Sequence, residues 1–162
     1  MAYPIPLGKY LLLERVAAGG MAEVFKAKAF GVAGFEKLLA IKRLLPGLAA
    51  DEEFIDMFID EARIAVCLSH ANLVQVYELG KVDGDYYIAM EYVSGVTLQR
   101  LTRRLRRSGQ LVPLSAVAYI VGSVCEGLDY AHRKTDPAGR PMNVVHRDVS
   151  PQNVLLSYEG VT

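Results

Sequence analysis

Two charged residues in this 162-residue chain stand where charge is costly, and a third group has spacing suited to proton and cation chemistry. Lys42 closes the apolar run Leu39-Ala40-Ile41. Glu61 falls on the apolar stripe Phe54, Phe58, Ala65 and Leu68 of a segment with helical periodicity. A charge on a buried face needs a partner, so each residue explains the other if they meet. A lysine held in that way is a fixed positive charge able to grip phosphate oxygens, although Lys42 taken alone reads as a side chain snorkelling to water. The third group is His146-Arg147-Asp148-Val149-Ser150-Pro151-Gln152-Asn153, lying between two short apolar runs. An aspartate in such a loop can accept or orient a hydroxyl proton, and an asparagine oxygen can ligate a hard cation. The turn Ala17-Ala18-Gly19-Gly20-Met21-Ala22 brings backbone amides where a phosphate could approach. An ordinary two-glycine hairpin is the plainer explanation.

The elements that must position these residues follow from periodicity. Strands are expected at 10–16, 23–27, 37–44, 73–79 and 86–92, with a helix over 51–68 that opens on the acids Asp51, Glu52 and Glu53. After Val93-Ser94-Gly95 the texture becomes helical. Residues 114–133 are apolar on nearly every side, the pattern of a helix enclosed by a larger body. Short strands are expected at 143–145 and 154–156, and 157–162 reads as a turn leading into a further strand. The class is α+β, divided into 1–93 and 94–162.

Composition bounds the function. Lys+Arg and Asp+Glu both number 18, so no whole-chain field favours nucleic acid or an acidic membrane. No run of about 18 apolar residues is present, and the N-terminal decapeptide lacks the pattern of a secretion signal. The expectation is a cytoplasmic protein, with Cys67 and Cys125 as buried free thiols. Arg100, Arg103, Arg104, Arg106 and Arg107 could meet nucleic acid or an acidic partner; a solvated helix face over Leu98, Leu101 and Leu105 is the plainer reading, and no nucleic acid is expected. His70 and His132 read as structural, and His146 as a residue that packs and holds the loop.

With these motifs in this order, the chain resembles a eukaryotic-type protein kinase domain, and is most similar to the bacterial serine/threonine branch. The resemblance runs from about Tyr10 to Ser157. It implies a small lobe, a five-stranded antiparallel sheet with one helix, followed by the first, incomplete part of a helical large lobe. It also implies ATP and Mg²⁺ as cofactors and protein hydroxyls as acceptors. Residues 17–24 would cover the phosphates, with Gly19 and Gly20 in the turn, and Val16 and Val24 over the adenine. Lys42 would hold the α- and β-phosphates, positioned by Glu61. Ala40 and Leu155 would touch the adenine faces, Met90 would be the gatekeeper, and Glu91 and Val93 would offer backbone hydrogen bonds. Asp148 would orient the acceptor hydroxyl, Asn153 would hold one Mg²⁺, and Arg147 would steady a phosphorylated loop.

Three departures accompany the resemblance. Ala17 and Ala22 replace two glycines of the phosphate loop. Ser150 stands where serine/threonine kinases carry a lysine. No Asp-Phe-Gly follows Leu156. This chain is therefore expected to be a portion of a longer kinase and inactive alone. The alternatives are a pseudokinase-like nucleotide-binding or scaffolding module, and a small-molecule phosphotransferase, whose loop reads His-Gly-Asp.

Overall fold

A computed structural model describes residues 3–160, in two compact units. The first comprises Met1–Cys67 and Gln75–Tyr92, and the second Leu68–Val74 and Val93–Thr162. The first unit is built from strands β1 (Ile5–Leu7), β2 (Tyr10–Ala18), β3 (Ala22–Phe30), β4 (Glu36–Leu44), β5 (Val76–Val82) and β6 (Asp85–Met90), and helix α1 (Glu52–Ala65). All strand pairs are antiparallel, in the order β1-β2-β3-β4-β6-β5. The sheet thus has six strands rather than five, because Ile5–Leu7 folds back onto the start of β2.

Strand alternation divides the apolar residues between two faces. Leu12, Phe25, Ala27, Leu39, Ile41, Tyr87 and Ala89 form one core. Ala22, Leu44, Val76 and Ile88 form the other, against Phe58 and Ala62 of α1. Phe58 is completely buried, a contribution of about 1.5–3 kcal/mol for a side chain of that size. Asp51 caps α1, its carboxylate accepting from the Glu53 amide at 3.0 Å.

Ion pairs tie the strands across the sheet. Glu23 on β3 accepts from Arg15 on β2 and from Arg43 on β4, and Arg43 also pairs with Asp85 on β6. Glu78 on β5 accepts from Lys9 and from the hydroxyls of Tyr10 and Tyr87. Burial alone would raise the Glu78 carboxyl, but these three donors outweigh it and hold it below its ordinary value of 4.5. Burial, then the bond to Glu78, pushes the Tyr10 phenol well up. Gly80 leaves the room that Tyr87 fills: a Cβ there would collide with the phenol ring.

The second unit holds β7 (Gly95–Thr97), α2 (Leu98–Arg107), α3 (Leu114–His132) and β8 (Leu155–Ser157), with β7 and β8 antiparallel. Thr97 caps α2, and α2 ends before Gly109 at φ 68°. On α3, Ile120, Ser123, Gly127 and Ala131 are buried as one stripe. Residues 68–74 lie along it: the Asn72 side-chain amide donates to the Ser123 carbonyl at 2.9 Å, and a Cβ on Gly127 would crowd the Asn72 backbone. His70 stacks on Tyr130, whose hydroxyl accepts from the Ser69 amide and from Lys134. These donors, the amide first, hold the Tyr130 phenol below its usual range.

Several expectations change. β5 begins at Val76 rather than 73, because residues 68–74 are engaged along α3. No strand forms at 143–145, because Asn143 takes a left-handed φ of 50° that breaks an extended run. Helix α3 buries one stripe and exposes Leu114, Val117, Tyr119 and Val121. Cys67 and Cys125 are free but exposed: Cys67 lies beyond the end of α1, and Cys125 lies off the buried stripe of α3. His132 is also exposed. The turn after Ser157 is present over 158–160, and the rest of the expected turn, Val161 and Thr162, lies outside the described residues. Among the described residues no helix is long and apolar enough to cross a membrane.

The Glu78 and Glu23 carboxyls are both held below 4.5 in the folded state. Their stabilisation is complete above that value and is lost as pH falls through the lower folded values. Thermal melts should therefore show a midpoint that drops below about pH 4.5, with a shallower drop in Glu78→Gln. An identical acid limb in that variant would remove Glu78 from the account.

Candidate functional site

Alternation along β4 places Ala40, Lys42 and Leu44 on the face that meets α1, opposite Leu39 and Ile41. Lys42 Nζ donates to both oxygens of the Glu61 carboxylate, at 2.5 and 2.6 Å, and lies 5.7 Å from the Phe58 ring centroid. The lysine side chain is 21% exposed and the glutamate 49%. Glu61 is therefore at the rim of the buried stripe, one residue before Ala62, and its carboxylate remains wetted. The pair is formed as the sequence implied, but an unpaired Glu61 would cost less than a fully buried carboxylate.

Between β2 and β3 the turn is closed by the Gly19 amide donating to the Ala22 carbonyl at 2.8 Å. Neither Gly19 nor Gly20 has positive φ, and Ala17, Ala18 and Ala22 lie within β2 and β3 without positive φ, Ala17 beside a register shift in the pairing. The alanine replacements thus carry no backbone strain. A Cβ on Gly20 would meet nothing within 4 Å, so the fold itself does not demand glycine there. Val16 through Gly20 are exposed, and Val24 is half-buried.

At the end of β6, Met90 sits opposite Ala40 on one side and Val76 on the other. The Glu91 amide donates to the Gln75 carbonyl at 2.8 Å. What Glu91 can offer an exocyclic amine is its carbonyl. Gln75 went unnoticed in the sequence, since nothing in its spacing marks a backbone contact.

In the second unit, residues 142–154 form an irregular loop fixed at its far end. The Gln99 amide donates to the Pro151 carbonyl and the Leu98 amide to the Val154 carbonyl, at 2.8 and 2.9 Å. Leu155 and Leu156 then pair with β7. Arg147 adopts φ 64°, a left-handed conformation uncommon for a residue with a long side chain. The Asp148 amide donates to His146 Nδ1 at 3.4 Å. His146 therefore anchors the backbone but, being exposed, does not pack.

Asn153 Nδ2 donates to Asp148 Oδ2 at 2.8 Å and to the Asp148 carbonyl at 3.1 Å. This orientation leaves the asparagine carbonyl oxygen and the other aspartate oxygen for a ligand. The donor set fits one or two positions on a hydrated hard cation that takes its remaining ligands from water and phosphate. Among the described residues no three His, Cys, Asp or Glu side chains gather to hold a metal by themselves. Ser150 is half-buried, and its hydroxyl has no protein partner among the described residues. The structure brings Lys42 to Glu61 within the first unit and Asp148 to Asn153 within the second; Val93 and Leu155 also belong to the second.

Gly95 carries a constraint not evident from the sequence. A Cβ there would run into the Leu156 backbone, so only glycine lets β7 lie against β8. Gly95→Ala should destabilise the second unit by about 1–3 kcal/mol, as overpacking does, and should loosen the loop that carries Asp148. Hydrogen exchange at the Leu156 and Tyr158 amides measures this; unchanged protection would contradict it.

The family described as protein kinase domain matches residues 10–162. Tyrosine-protein kinase MasK of Myxococcus xanthus is 47% identical over 155 residues, which are 96% of this chain and 24% of the relative. Serine/threonine-protein kinase PrkC of Bacillus subtilis is 36% identical over 153 residues, 94% of this chain and 21% of the relative. The crystal structure of the Mycobacterium tuberculosis PknI kinase domain aligns with a TM-score of 0.76 at 31% identity, covering 99% of this chain and 59% of that one. The chain thus spans about a quarter of the length of the curated relatives it matches.

Proposed function

The chain belongs to the protein kinase domain family, and from that premise we propose that it supplies the nucleotide-handling residues of a kinase that transfers the γ-phosphoryl group of ATP to serine and threonine hydroxyls of proteins. The observation that carries this reading is the Asn153 to Asp148 hydrogen bond at 2.8 Å. It holds one aspartate oxygen and leaves the other to accept or orient the acceptor hydroxyl proton. The same bond turns the Asn153 carbonyl oxygen toward service as a cation ligand. Lys42, kept in place by Glu61, is the fixed charge for the α- and β-phosphates. Val16, Val24, Ala40 and Leu155 are the apolar contacts for adenine, Met90 limits access behind it, and the backbones of Glu91 and Val93 hydrogen-bond its edge. Gly19 and Gly20 allow phosphate to come near the turn. Mg²⁺, when bound, neutralises charge that develops on the phosphates.

The lysine missing at Ser150 and the absence of Asp-Phe-Gly from the 162 residues remove two charges that act on the γ-phosphoryl group. The chain by itself is therefore a nucleotide binder without efficient turnover. The pseudokinase-like module is the version of this reading in which no turnover occurs in any setting. The retained Lys42, Glu61, Asp148 and Asn153 speak against it.

A second acceptor class has a specific observation behind it. The 47% identical relative bears the name of a tyrosine kinase, and Ser150 departs from the lysine of the serine/threonine pattern. Grafting this chain into the corresponding stretch of the Bacillus subtilis relative distinguishes the two: phosphoserine and phosphothreonine support the first reading, and phosphotyrosine the second.

The binding claim is tested by titrating the chain with ATP, with and without Mg²⁺. ATP should bind, Mg²⁺ should strengthen the binding, and Asn153→Ala should remove about tenfold or more of the Mg²⁺ effect, the loss of one charge-assisted contact. An Mg²⁺ effect that survives intact in that variant excludes Asn153 as a ligand. Metal-dependent phosphoryl transfer by the chain alone would refute the claim that it lacks turnover.

A further inference from the structure

Helix α2 carries a charge pattern that its own surroundings leave unanswered. Arg100, Arg103, Arg104 and Arg107 recur at i, i+3, i+4 and i+7, which places four guanidinium groups on one stripe, away from the half-buried Leu98, Leu101 and Leu105. All four are exposed, as is Arg106 beside them, and none forms an ion pair among the described residues. Like charges at these spacings repel one another within the helix. Arg100 also sits in the first turn, where the helix dipole disfavours a cation, and no acid accompanies it there.

Helix α1 carries the complementary pattern. Glu53, Asp56 and Asp60 recur at i, i+3 and i+7, with Glu52 alongside, and all four are exposed. Arg63 is the basic residue on that side, and it pairs with Asp60 at 3.2 Å. Glu52, Glu53 and Asp56 have no ion-pair partner among the described residues. Both stripes run two helical turns, about 10 Å, and carry opposite charge: four arginines on α2 against Glu52, Glu53 and Asp56 on α1, with Asp60 shared with Arg63.

We propose that the arginine stripe of α2 is a docking surface for the acidic stripe of α1 on a second copy of this chain. The partner is a second copy rather than nucleic acid for two reasons. The chain has equal numbers of acidic and basic residues, and α2 bears no aromatic side chain on which a base could stack. The contact joins unlike surfaces, so two copies either close it as a reciprocal pair or extend it into a chain. Exposed pairs contribute little singly. The association is therefore weak, cooperative over the stripe, and sensitive to salt.

Sedimentation velocity on the 162-residue chain tests this. Association should weaken by about tenfold or more as salt rises from about 10 mM to about 150 mM and the screening length falls from about 30 Å to about 8 Å. Arg103→Glu with Arg107→Glu should give a monomer, as should Glu53→Arg with Asp56→Arg, and an equimolar mixture of the two double variants should associate again. Circular dichroism checks that each is folded; should an arginine reversal unfold α2, Arg103→Gln with Arg107→Gln gives the monomer without adding acids. A wild-type chain monomeric at low salt overturns the proposal. So does association that strengthens with salt, as an apolar contact through α3 would, association abolished by nuclease, or a mixture of variants that stays monomeric.

Discussion

Lys42 shares a strand face with Ala40 and Leu44 because side chains alternate along β4, and that face is the one α1 covers. A lysine on such a face must reach water or an acid, and the rim position of Glu61 provides the acid at 2.5 and 2.6 Å. Everything else in the first unit bears on whether this contact can form. Phe58 and Ala62 set the height of α1 over the sheet, Asp51 fixes where the helix starts, and the pairing of β4 with β6 holds Lys42 opposite Ile88. The other strand ties, through Glu23 and Glu78, keep the sheet from shearing beneath the pair.

The second unit solves a different problem with different means. Its loop has no regular structure, so the Asp148 side chain is placed by tethers: Asn153 on its carboxylate, His146 on its amide, and the β7–β8 ladder behind. Left-handed backbone at Arg147 is the local cost of turning the chain there. Gly95 matters for the same reason, since it lets β8, and with it the end of the loop, lie against β7.

How much of this was legible in the sequence depended on whether a signal was periodic or chemical. The Lys42–Glu61 pair was readable because two charges on apolar patterns each needed a partner. The Asp148–Asn153 loop was readable because an acid and an amide stood five apart between apolar runs. The sixth strand was missed because three residues carry no period. β5 starts at Val76 rather than 73 because Leu73 and Val74 continue the strand pattern but belong to the stretch held along α3 through Asn72. The supposed strand at 143–145 fails on the left-handed φ of Asn143, a conformation asparagine tolerates better than most residues but which the apolar pattern of Val144 and Val145 masked. Helix α3 looks apolar on nearly every side, yet it buries only the one face that carries Ile120, Ser123, Gly127 and Ala131, and its remaining apolar residues stay partly or fully exposed. Gly95 and Gln75 act through backbone contacts, and single sequences hide those.

On the proposed function, Lys42 is held by Glu61 in order to meet phosphate rather than to stabilise the sheet. Equilibrium binding of ATP and of adenosine to the chain and to Lys42→Ala tests it most directly. The variant should lose about tenfold or more in affinity for ATP, roughly 1.4 kcal/mol per factor of ten, while adenosine binds as before and the thermal midpoint barely moves. Equal losses for ATP and adenosine, or no loss for either, would contradict it.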